Sequence, residues 1–154
     1  MNIQTENNND INPRLYGIGG WLYLLAIALI ASSIFQIIKI PEYLEIINSG
    51  QYNEYSATYP RWSVYYWLTL VYSITILGIL LMIAYNTYKQ RRTFGKLVII
   101  FYSLIFLFSV VCFYFDTILY GFGNSFQILT SAINLLIWTA YILRSKRVKL
   151  TFYR

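Results

Sequence analysis

Apolar residues gather into four long runs, at about 18–38, 64–85, 97–115 and 126–143, each bounded by polar segments that carry the charge. Within those limits there is no Asp, Glu, Lys or Arg. Runs of this length match the roughly 20 residues an α-helix needs to cross a hydrocarbon core about 30 Å thick. Lipid offers backbone N–H and C=O groups no partner, so each run must satisfy them internally as a helix. The pattern predicts an all-α integral membrane protein, a four-transmembrane-helix bundle. The short connections at 89–96 and 117–125 make spans two, three and four antiparallel neighbours.

The polar segments add detail. Gly17, Gly19 and Gly20 precede Trp21 at the mouth of span one, where glycine permits close helix approach and Trp prefers the headgroup layer. Pro41 suits the first turn of a new helix. The stretch Glu42–Ile47 is therefore expected to form a short amphipathic helix on the outer leaflet, broken by Asn48-Ser49-Gly50. Residues 51–59 are polar and tyrosine-dense, and Pro60-Arg61-Trp62 leads into span two. Aromatics bracket that span at both ends, the belt expected of an anchored helix.

Composition limits the rest. In 154 residues, 58% of them hydrophobic, no room remains for a soluble domain. We expect one domain over residues 15–154, preceded by a disordered tail, residues 1–14, too polar to bury anything. A cleaved signal peptide is not expected, because the first ten residues are acidic and Asn-rich and the apolar run is too long. The single Cys112 forms no intrachain disulfide.

The net charge of +6 is a topology signal before it is anything else. The tail with Glu6, Asp10 and Arg14, the 39–61 loop and the Asp116 loop are each net negative. Lys89, Arg91, Arg92 and Lys96 follow span two, and Arg144, Lys146, Arg147, Lys149 and Arg154 follow span four. These cations share one side of the membrane, which the positive-inside rule places in the cytoplasm together with both termini. Membrane lipids are the expected partners, and nucleic acid is not.

Polar side chains within the spans are costly in lipid and normally face the bundle interior. In span four, Gln127, Thr130, Ser131, Asn134, Trp138 and Tyr141 step by three or four residues as one stripe. Tyr102, Ser109, Cys112 and Asp116 form another in span three, and Ala28, Ser32 and Gln36 a third in span one. Thr69, Tyr72 and Ser73 do the same in the outer half of span two. Asn134, Gln127, Ser109, Asp116 and Gln36 are the candidate intramembrane polar residues. Spans three and four are expected to meet through Cys112 and Asn134, by interhelical hydrogen bonds rather than by lining water.

The C-terminal tail offers Arg144, Lys146, Arg147, Lys149 and Phe152 as candidate contacts to lipid headgroups or a partner. Each cation adds about 1 kcal/mol of attraction to an anionic leaflet. Val148, Leu150 and Phe152 alternate with polar positions and are expected either to dock at the bundle mouth or on a partner, or to belong to a helix extension with a frayed basic end held by charge alone.

Catalysis requires a nucleophile with a base, or a metal with its ligands. The chain has no His, no Cys pair and no carboxylate cluster in a span, and Gly17-Ile18-Gly19-Gly20 follows no strand. No enzyme, catalytic residue, metal or cofactor is expected. No Pro interrupts a span, which argues against a monomeric transporter with broken helices.

Two stretches carry a family resemblance. Gly17-Ile18-Gly19-Gly20-Trp21-Leu22 opens span one, and Trp138–Phe152, with its Ser-Lys-Arg-Val-Lys-Leu-Thr-Phe end, closes the chain. From about Leu15 to Arg154 the chain resembles bacterial four-span membrane proteins grouped as domain of unknown function 2569. Ala140 and Ser33 stand at or near places where that pattern leads one to expect proline. The resemblance implies a bacterial cytoplasmic (inner) membrane location, and it supplies no activity and no site residues. The leading expectation is a small non-enzymatic membrane protein, a homo-oligomer or an accessory subunit of a membrane complex. A pore or transporter component using the polar faces of spans three and four is the alternative, and a membrane sensor is the third.

Overall fold

The computed structural model describes residues 20–152, the side chains of residues 51, 55 and 147 excepted. The expected tail at 1–14 and the glycines at 17 and 19 lie outside the described residues. The described chain is all-helical. In order, it has α1 (Trp21–Asn48), α2 (Gly50–Thr58), α3 (Pro60–Tyr88), α4 (Phe94–Tyr120), α5 (Ser125–Arg144) and α6 (Lys146–Phe152). Helices α1, α3, α4 and α5 are long and apolar enough to cross a membrane, as the four runs predict.

One expectation about the first loop fails. Pro41 does not start a helix; α1 runs straight through it to Asn48. The proline removes the N–H that would bond the Ile37 carbonyl, yet Lys39 and Glu42 pair across the site and the turn holds. The break comes at Ser49, within the expected Asn48-Ser49-Gly50, and its hydroxyl donates to the Ile46 carbonyl at 2.6 Å. The tyrosine-dense segment is itself helical. α2 is pinned to α3 by Tyr52, whose hydroxyl accepts from Trp67 Nε1 at 2.8 Å and lies 2.6 Å from Ser63 Oγ.

The α3–α4 hairpin closes through Asn86, buried at its base. Its amide donates to the Met82 carbonyl at 2.7 Å and its side-chain oxygen accepts from the Thr93 hydroxyl. At the opposite end, α4 terminates on Gly121 in the left-handed conformation (φ 80°), which costs glycine nothing. The Asn124 side chain then accepts from the Gln127 N–H to start α5. α4 packs most closely with α5, α3 lies between α1 and α4, and α6 folds back against α4.

Core packing is uneven along the membrane normal. The buried apolar cluster comprises Leu22 and Leu25 of α1, Ile76, Leu80 and Ile83 of α3, and Phe94, Val98, Phe101 and Tyr102 of α4, with Trp138 and Ile142 of α5 and Val148 and Phe152 of α6. All of them lie from mid-span towards the end carrying the α3–α4 turn and α6, hereafter the basic end. The other end, which carries α2, is the more polar.

A polar cavity at the candidate functional site

In the α2-side half the four spanning helices part around a cavity of about 320 Å³. Phe35, Gln36 and Tyr43 reach it from α1; Tyr65, Thr69, Tyr72 and Ser73 from α3. Ile105, Phe108, Ser109 and Cys112 come from α4, and Gln127 from the first turn of α5. Tyr65, Thr69, Tyr72 and Ser73 follow three- and four-residue steps, so the α-helical period alone puts them on one face. The wall carries amide, hydroxyl, phenol and thiol groups and, among the described residues, no charged side chain. A neighbouring recess of about 280 Å³, reaching Ala31 and Ser32, shares Phe35, Gln36, Tyr72 and Ile105 with it.

The hydrogen-bonding capacity of this wall is unevenly used. The Thr69 hydroxyl donates to the Tyr65 carbonyl at 2.8 Å, a bond within its own helix. Ser109 Oγ lies 2.7 Å from Ser131 Oγ and 2.7 Å from the Phe106 carbonyl. Gln36 is different: its Oε1 is buried and has no partner. An unpaired buried amide oxygen costs about 1–3 kcal/mol. The ring of Tyr72 stacks on Phe108, centroids 3.6 Å apart, and fixes the cavity wall between α3 and α4.

The cavity brings together Gln36, Ser109 and Gln127 of the five intramembrane candidates. Asp116 is half-buried one turn beyond Cys112 and is not in the wall. Asn134 corrects the expectation. It is exposed on the outside of the bundle, and its amide donates to the Thr130 carbonyl of its own helix at 3.0 Å. Spans three and four are instead joined by Ser109 and Ser131, and Cys112 lines the cavity wall. The span-four stripe is wider than the contact: the buried seam is Ser131, Trp138 and Ile142. At 3.6 residues per turn, Asn134 sits about 60° to its flank.

Tyr43 and Tyr65 were legible in the sequence only as interfacial aromatics. The one signal for Tyr65 is its four-residue step to Thr69. Nothing local marks Tyr43, which reaches the cavity only because α1 continues past Pro41.

The tail candidates also divide. Arg144, Lys146 and Lys149 are exposed, while the side chain of Arg147 lies outside the described residues. Phe152 is no headgroup contact. It is 1% exposed, and Val148 is fully buried, beside a buried Thr151 and a half-buried Leu150. The alternation therefore gives way to helical spacing. Ser145 interrupts α5, accepts from the Val148 N–H at 3.3 Å, and starts α6, which turns its 148/152 edge inwards.

No curated protein and no solved structure matches this chain. A family model, described as a protein of unknown function, matches residues 15–153. With four membrane-crossing helices and a match over nearly its whole length, this multi-pass membrane protein belongs to the DUF2569 family of proteins of unknown function.

Proposed function

We propose that this is a non-enzymatic protein of the bacterial cytoplasmic membrane that binds a small, uncharged, hydrogen-bonding molecule in the polar cavity. Both termini lie in the cytoplasm and the α2 end faces outwards, in keeping with the basic residues at the opposite end. The observation that carries the proposal is the cavity wall itself, which sets the amides of Gln36 and Gln127 among hydroxyl, phenol and thiol groups from all four spanning helices. A charged ligand is disfavoured, because the wall offers no counter-ion to offset its desolvation. The apolar layer of Ile76, Phe101, Tyr102 and Trp138 lies between the cavity and the basic end, which favours a blind pocket over a through-path. Binding from the outer side suits an accessory subunit that presents or senses a ligand for a larger complex.

Two measurements on the purified full-length protein test this. Iodoacetamide, small and neutral, should alkylate Cys112 without prior unfolding, and Thr69→Phe, which fills the cavity, should slow that reaction. A panel of neutral polyols and amides should include members that raise the melting temperature of the wild type but not of Gln36→Leu. Alkylation only after unfolding, with no compound in the panel acting, would overturn the proposal.

A further inference from the structure

A second cavity, of about 330 Å³, lies in the opposite half of the molecule between α1 and α3. Its chemistry is the reverse of the first. Leu25, Leu29, Leu80 and Ile83 form much of its wall, with Phe94 and Phe152 also reaching it. Two of its three hydroxyl side chains are already spent, and the third, Tyr88, belongs to the exposed rim. Ser33 donates to the Leu29 carbonyl at 2.9 Å and Thr87 to the Ile83 carbonyl at 2.8 Å, each within its own helix. What remains facing the cavity is hydrocarbon. The gap exists because Ala26 and Ala84 supply only a methyl group each to its two sides. Ile30, Ala84 and Tyr88 on its rim are exposed, so it opens sideways, where lipid lies.

Its length and its surroundings identify the occupant. From Leu22 to Ser33 it extends about 16 Å along α1 at 1.5 Å per residue. That is close to half of the roughly 30 Å hydrocarbon thickness, the depth of one leaflet. At its headgroup end α3 runs into the exposed Lys89 and Arg91. The Lys89 ammonium lies 5.4 Å from the Tyr88 ring centre and the Arg91 guanidinium 5.2 Å from that of Tyr85. Tyr88 belongs to the cavity wall, so Lys89 stands beside its mouth, with Arg91 two residues further along the same turn. We infer that this cavity holds one acyl chain of an anionic glycerophospholipid drawn from the leaflet at the basic end. Lys89 and Arg91 hold its phosphate. The apolar wall selects the chain, the two cations select the headgroup, and the lipid fills the joint between α1 and α3.

Native mass spectrometry of the full-length protein in mild detergent tests this with added phosphatidylglycerol or phosphatidylcholine of matched chains. The wild type should retain one phosphatidylglycerol per chain, preferred about tenfold over phosphatidylcholine. Ala26→Trp and Ala84→Trp should lose both lipids. The double variant Lys89→Gln/Arg91→Gln should keep the chain site and lose the preference. Should both Trp variants unfold, the charge variant decides alone, since its substitutions lie on the exposed turn. Equal retention of the two lipids by the wild type overturns the inference. So does an unchanged preference in the charge variant, or full retention in a folded Trp variant.

Discussion

The ring of Phe152 stacks on that of Phe94 with centroids 4.0 Å apart and planes 14° from parallel, tying the last helix to the first residue of α4. Both rings are buried, so the contact belongs to the core and not to the rim of the bundle. Truncating a buried Phe to Ala costs about 3–5 kcal/mol where the site cannot collapse. Phe152→Ala should therefore lower the melting temperature of the detergent-solubilised protein well below that of Lys149→Gln, whose side chain is exposed. Equal melting temperatures for the two would show that α6 is held by charge alone.

Ser109 and Ser131 should contribute little individually. Their hydroxyls also reach the Phe106 and Ile128 carbonyls. Two hydroxyl protons thus serve three contacts, and losing one leaves the others to rearrange. Interhelical hydrogen bonds in membranes average about 0.6 kcal/mol. A double-mutant cycle with Ser109→Ala and Ser131→Ala, read by unfolding in detergent, should return a coupling of that order. A coupling several times larger would mean that the pair does more than join α4 to α5.

The two span asparagines should behave in opposite ways. Asn86 is buried and holds the α3–α4 turn through Met82 and Thr93. Asn86→Leu removes the bond that closes the turn onto the exposed Thr93 and should destabilise by about 0.5–1.5 kcal/mol. Asn134→Leu removes an exposed amide bonded only within its own helix and should be neutral or stabilising. Thermal unfolding of the two variants side by side checks the order.

The sidedness follows from charge and is tested by fusions to a compartment-specific reporter. A fusion after Gly50 should report the external side and one after Arg92 the cytoplasm. The same compartment for both would contradict the single crossing by α3 between them.

Gly123 is held against α4, where an added Cβ would lie 2.5 Å from Phe113 Cδ2 and 2.6 Å from Thr117 Oγ1. Gly123→Ala should destabilise by about 1–3 kcal/mol, the usual cost of overpacking. At Gly50, where nothing lies within 4 Å, the added methyl meets no neighbour. Melting curves of the two alanine variants give the comparison.

The spans themselves were written in the sequence, because lipid imposes a length and forbids charge, and both constraints act on each segment separately. The face of α4 was legible too: Tyr102, Ser109 and Cys112 are all buried, as their spacing implies. Only the tertiary structure decided which polar residues meet. Ser131 faces α4, whereas Asn134, three residues on, faces outwards. It also decided how Phe152 reaches the core, since α6 must break from α5 at Ser145 and turn back. The physical reason is that lipid is as apolar as a leucine side chain. A hydrophobic residue in a span is equally at home against a neighbouring helix or against the bilayer. Hydrophobicity therefore marks where the chain crosses and is silent about which side of each helix is inside, where the core is tight, and where the helices leave a cavity.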